Sequence, residues 1–112
     1  MSSQTEAVLL RHLQAASVGV DAVMADYVDT SVIITNEGTY RGLTEIRGLF
    51  TVLLDGAYRG FISSLKMTRQ EVVGEVAFIL WDAPPWFRHA TDTFVIRNGK
   101  ILVQTFSALP HE

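Results

Sequence analysis

Residues 90–106 read ATDTFVIRNGKILVQTF, two runs rich in β-branched and aromatic residues split by Asn98-Gly99. Both central residues of a type I′ turn need positive φ, and Asn-Gly supplies it. The two runs are therefore expected to form strands joined as an antiparallel hairpin. Within the first run Asp92 stands beside Thr91, Thr93 and Phe94 with no basic residue within two positions. Burying a carboxylate is costly, and it normally acquires a hydrogen bond, a counter-charge or a raised pKa. The hairpin thus predicts a sheet, and its acid predicts a pocket.

Working outward, the period of two extends upstream. It predicts strands over about Phe61 to Val72, Glu75 to Trp81 and Trp86 to Ile96, with a last one from Lys100 to Ala108. Before Gly60 the signals are mostly helical. Ser3-Gln4-Thr5-Glu6 has capping-box spacing, and Val8, Leu9, Leu13 and Ala16 share one face, with His12 inside that apolar stripe and Arg11 and Gln14 opposite. Asp21 is placed to cap a short second helix ending near Asp29, with Val23, Met24, Tyr27 and Val28 inward and Asp26 toward water. Ser31 to Thr35 reads as a strand, and Glu37-Gly38 turns it into a brief partner at Thr39-Tyr40-Arg41-Gly42. Thr44 is expected to cap a third helix carrying Ile46, Leu49, Phe50 and Leu53, ended by a left-handed Gly56. Helices first and strands later, without βαβ alternation, predict an α+β domain with an antiparallel sheet.

The chain has 112 residues, 48% of them hydrophobic, which fits a single domain over 1–112. The formal charge is −3 with basic residues spread singly, so no cationic stripe is offered to nucleic acid. Cysteine is absent, the start MSSQTE lacks a signal-peptide pattern, and apolar runs are too short to span a bilayer. A cytoplasmic location without membrane contact is the expectation. Histidines 12, 89 and 111 show no metal-ligand spacing, and there is no phosphate-cradling glycine loop or serine elbow, so no metal or cofactor is expected.

This element order, with ADYVDTSVIITNEGTYRGLTEIRGLF and ATDTFVIRNGKILVQTF, resembles the nuclear transport factor 2-like superfamily, and within it the small SnoaL-like and ketosteroid isomerase-like bacterial proteins. The resemblance implies a cone-shaped α+β roll, in which three N-terminal helices pack on a curved, mainly antiparallel sheet and enclose an apolar pocket. It also implies homodimers paired through the outer sheet face. In the isomerases a first-helix tyrosine and a protonated late-strand aspartic acid hold the oxyanion, while a first-strand aspartate moves the proton. The corresponding positions here are His12, Asp92, and Thr35 or Asn36, so the usual aspartate base is missing.

Asp92 and His12 are accordingly the candidate catalytic pair, expected to meet across the cavity and fix the tautomer of the imidazole. Tyr27, Trp81, Trp86 and Thr35 are the candidate substrate-binding residues. Trp81-Asp82-Ala83-Pro84-Pro85-Trp86 reads as a rigid loop whose tryptophans suit a flat apolar ligand. His89, three positions before Asp92, falls on the opposite face of a regular strand. Phe50, Phe78, Phe94, Phe106 and Met24 read as core, and Glu6, Asp26, Glu45, Asp55 and Glu71 as solvated or capping charges. The functional expectation is a pocket for an apolar small molecule, with an isomerase, lyase or cyclase acting by proton transfer beside a polarised carbonyl. The alternative is a non-catalytic hydrophobic-ligand carrier or dimeric interaction module.

Overall fold

A computed structural model describes residues 2–56 and 58–110, without the side chains of residues 2, 3 and 110. The Ser3 side chain of the expected capping box and His111 lie outside the described residues. In chain order the elements are α1 (Ser2–Ala16), α2 (Val20–Met24), β1 (Tyr27–Thr35), β2 (Thr39–Arg41) and α3 (Gly42–Phe50), which continues into a π-helical turn (Thr51–Asp55). Then come α4 (Phe61–Ser64), β3 (Lys66–Val73), β4 (Val76–Ala83), β5 (Phe87–Arg97) and β6 (Lys100–Pro110). The strands form one sheet in the order β2-β1-β6-β5-β4-β3. Among the described residues only the β1–β6 pair is parallel. The fold is α+β.

The hairpin at Asn98-Gly99 forms as the sequence predicts, with φ of 53° and 76° at the two turn residues. A Cβ added at Gly99 would meet nothing within 4 Å, so the cost of filling it is purely conformational. Gly99→Ala is expected to cost about 1 kcal/mol. It should lower the urea midpoint without changing the slope of the transition.

The helical stripes cover one face of the sheet. Val8, Leu9, His12 and Ala15 of α1 and Ile46 and Phe50 of α3 are buried against Ala77, Ile79 and Trp81 of β4 and Ala90, Asp92, Phe94 and Ile96 of β5. On β6 the pairing passes from Ile96↔Ile101 to Val95↔Val103, leaving Leu102 as an extra residue. Such a bulge swaps the faces of everything beyond it. Ile101 is buried, and after the bulge so is Gln104. On the other face Val76↔Val95, Val95↔Val103 and Val103↔Val32 form a row of valines across four strands, with Val76 and Val103 exposed.

Several boundaries differ from expectation, each for a local reason. The first long strand begins at Lys66 instead of Phe61, because left-handed Gly60 opens a helical turn in which Ser63 donates twice to the Gly60 carbonyl. Among the described residues the α-helices therefore number four. α2 stops at Met24 because Tyr27 already pairs with Ile101 in the sheet. α3 begins at Gly42, and Glu45 rather than Thr44 closes its start by accepting the Arg41 amide at 2.7 Å. Asp21 lies inside the first turn of α2 and pairs with Arg47. Gly56 is not left-handed, but a Cβ there would lie 2.9 Å from the Val52 carbonyl oxygen, so it is selected for size. Phe78 sits half-buried beneath the Arg69 guanidinium, outside the core. Among the described residues no helix is long and apolar enough to cross a membrane.

Candidate functional site

Asp92 projects from β5 into the space under the helices and is 6% exposed. Its two oxygens are held from the neighbouring strands. Trp81 Nε1 on β4 donates to Oδ1 at 2.7 Å and Gln104 Nε2 on β6 donates to Oδ2 at 2.9 Å. The Tyr27 hydroxyl donates in turn to Gln104 Oε1. Burial pushes the Asp92 carboxyl up to about 6, against the opposing pull of the Trp81 and Gln104 hydrogen bonds and of His12. Burial, followed by the charges of Asp92 and Asp26, pushes the Tyr27 phenol well above its ordinary range, so it remains a neutral donor. An ionised Asp92 accepts from both neighbours, whereas a protonated one must also donate. A protonated oxygen keeps a lone pair, so it can go on accepting from Trp81 or Gln104 while its hydrogen is directed elsewhere.

The second buried acid is Asp26, expected to face water and found 1% exposed. With α2 ending at Met24, the chain turns Asp26 inward behind α1. Arg11 Nε donates to its Oδ1 at 2.8 Å, and His12 Nδ1 lies 3.1 Å from its Oδ2. Burial alone would raise the Asp26 pKa, but the hydrogen bonds and charges of His12 and Arg11 outweigh it and hold the carboxyl below its ordinary value. Arg11 also donates to the Gly99 carbonyl at 2.8 Å, tying α1 to the hairpin turn. An ionised carboxylate only accepts, so Nδ1 of His12 carries the hydrogen and Nε2 is the nitrogen left for the cavity. Tyr27, Phe50 and Phe94 hold the ring edge-on, at centroid distances of 5.8, 6.1 and 5.4 Å.

The direct hydrogen bond expected between His12 and Asp92 is thus replaced by two separate sets. His12 is engaged by Asp26, and Asp92 by Trp81 and Gln104. Both residues nevertheless line one inner chamber of about 60 Å³, together with Trp81, Gln104 and otherwise apolar walls. A larger cleft of about 670 Å³ opens beside it and is lined in part by Thr35, Tyr40, Tyr58 and Trp86. Leu49, Leu53 and Phe106 line both spaces, marking where the two meet. Tyr27 lines neither, acting on the chamber only through Gln104. Thr35 Oγ1 accepts the amides of Glu37 and Gly38 and donates to the Gly38 carbonyl, so it shapes the β1–β2 turn at the cleft edge. His89 is exposed.

Arg11, Asp26 and Gln104 are the participants that sequence reasoning missed. Among the described residues no three His, Cys, Asp or Glu side chains are grouped as metal ligands.

No protein-family model matches the chain, and no curated protein matches it in sequence. Solved structures do share its fold. An NTF-2 like protein of unknown function from Burkholderia xenovorans superposes with a TM-score of 0.76 at 17% identity, over 98% of this chain and 86% of that one. A SnoaL-like protein of unknown function from Burkholderia thailandensis gives 0.76 at 12% identity, over 97% and 98%. A candidate polyketide cyclase from Sinorhizobium meliloti gives 0.70 at 15% identity, over 88% and 92%. The chain therefore shares the fold of these NTF2-like and SnoaL-like proteins. Fold by itself carries no chemistry.

Proposed function

We propose that the protein binds an apolar carbonyl compound and moves a proton at the carbon next to the carbonyl, as an isomerase, lyase or cyclase does. The observation that carries this reading is that His12, held from behind by Asp26, lines the same small chamber as Asp92. The pair supplies the base that the first strand lacks. His12 Nε2 takes the proton from carbon while Asp26 holds Nδ1–H and balances the imidazolium charge that forms. Protonated Asp92 donates its hydrogen to the carbonyl oxygen, so the electron pair released from the C–H bond comes to rest on an enol oxygen. Return of the proton from His12 to a different carbon, with the enol hydrogen passing back to Asp92 as the carbonyl re-forms, completes an isomerisation. Loss of a β-leaving group, or attack on a second carbonyl, gives the lyase and cyclase outcomes. The chamber admits only the reacting end, and the rest of the ligand lies in the cleft.

The test is exchange of the α-hydrogens of aryl alkyl ketones into deuterated water, followed by proton NMR. Saturable exchange that depends on His12 is expected. Ketones that bind without exchange would support the second reading, a hydrophobic-ligand carrier. That reading is favoured by the location of most of the open volume in the cleft, away from His12 and Asp92.

The exposed valine row on the outer sheet face supports pairing of two copies through that face. Val103→Lys is expected to convert a dimer to a monomer in light scattering with little loss of thermal stability. A wild-type chain that scatters as a monomer would overturn this part of the proposal.

A further inference from the structure

Resting on the proposed site, we infer that the outer cleft selects the tail of the ligand by charge, taking an ammonium or other donor-rich tail and rejecting a carboxylate or phosphate. Among the described residues lining the cleft the ionisable carboxyls are Glu37 and Glu45, and none is a lysine, arginine or histidine. Glu45 uses Oε1 to accept the Arg41 amide, which fixes its carboxylate at the cleft wall. Thr35, Asn36 and Thr39 complete the polar side, on and around the β1–β2 turn. The same lining includes Trp86 and Tyr58, the latter stacked on Phe87 at 5.0 Å between ring centroids. Aromatic faces attract a cation, and carboxylates near it add to that attraction, whereas an anion meets repulsion and no compensating donor charge. Leu49, Leu53 and Phe106, which line both spaces, then join a tail-reading cleft to a carbonyl-reading chamber. The ligand class is an amphiphile with an apolar body, a carbonyl at one end and an amine at the other.

Three aryl alkyl ketones of matched length test this, ending in a primary ammonium, a hydroxyl or a carboxylate, with affinity read at low salt by calorimetry on the full chain. The ammonium probe is expected to bind about tenfold or more tighter than the carboxylate probe, with the hydroxyl between, and added salt should narrow the gap. Glu37→Gln should shrink the gap about threefold, and Glu37→Gln with Glu45→Gln should nearly close it. Glu37 is exposed on a turn, so the single variant stays informative even where the double variant is destabilised. Equal affinities, a preference for the carboxylate, a gap that survives both substitutions, or no binding by any probe would overturn the inference. Charge selection without α-hydrogen exchange would leave it standing while the proton-transfer reading fell. Exchange without charge selection would do the reverse.

Discussion

Asp26→Asn is expected to lower the rate of α-hydrogen exchange by a factor on the order of 10³ while leaving ketone affinity within about threefold. The reason lies in hydrogen-bond polarity. Asp26 accepts from both Arg11 and His12. An asparagine in its place keeps one carbonyl oxygen, which the Arg11 guanidinium claims, and turns its amide hydrogens toward His12 Nδ1. The imidazole must then accept at Nδ1 and carry its hydrogen on Nε2, the nitrogen facing the chamber. A base becomes a donor with almost no change in shape. His12→Gln should be at least as damaging, because it removes the proton acceptor altogether. Asp26→Asn also weakens a buried charge pair, at a cost of about 1–3 kcal/mol. Exchange is therefore compared at a temperature where circular dichroism shows both proteins folded. Exchange that persists within tenfold of wild type in the folded Asp26→Asn variant would remove His12 from the role of base.

The sequence discloses the frame of this site better than its wiring. Asn98-Gly99 is a local signal, since two residues decide the turn and the turn decides the pairing of β5 and β6. The inward position of Asp92 follows from strand parity, and that of His12 from helical parity on α1. Asp26 was misplaced because extending α2 to Asp29 rotates it outward. The helix instead ends where Tyr27 finds a strand partner seventy-odd residues later in the chain, and no local pattern marks that point. Gln104 was hidden by the bulge at Leu102. Counting alternately from buried Ile101 would turn Val103 and Thr105 inward, whereas the extra residue turns Gln104 inward and exposes Val103. Both misses concern polar residues whose burial is decided by long-range pairing, and hydrophobic periodicity says nothing about where such residues go.

The stability of the folded chain is expected to fall by about 3 kcal/mol as pH rises through the window set by Asp92, and this dependence should vanish in Asp92→Asn. In the folded protein burial raises the Asp92 pKa from 3.8 to about 6. Within that interval the folded state keeps a proton that the unfolded chain has released, so stability is greatest at the acid end and is lost as pH climbs to about 6. At about 1.4 kcal/mol per unit the shift amounts to about 3 kcal/mol. Asp26 has the opposite sign, because its pKa is lowered. Its stabilisation is complete above the unfolded value and is lost only as pH falls through the folded one, which leaves the Asp92 window clear of it. Urea unfolding of wild type and Asp92→Asn at half-unit steps from pH 4 to 7.5 measures the difference in slope. A parallel dependence in the two proteins would mean that Asp92 is not the buried acid that titrates. The same proton carries the functional consequence, because only the neutral carboxyl can donate to a ligand carbonyl while Trp81 and Gln104 hold its oxygens in place. Ketone affinity should therefore weaken about tenfold per pH unit above the Asp92 midpoint in wild type and lose that dependence in Asp92→Asn.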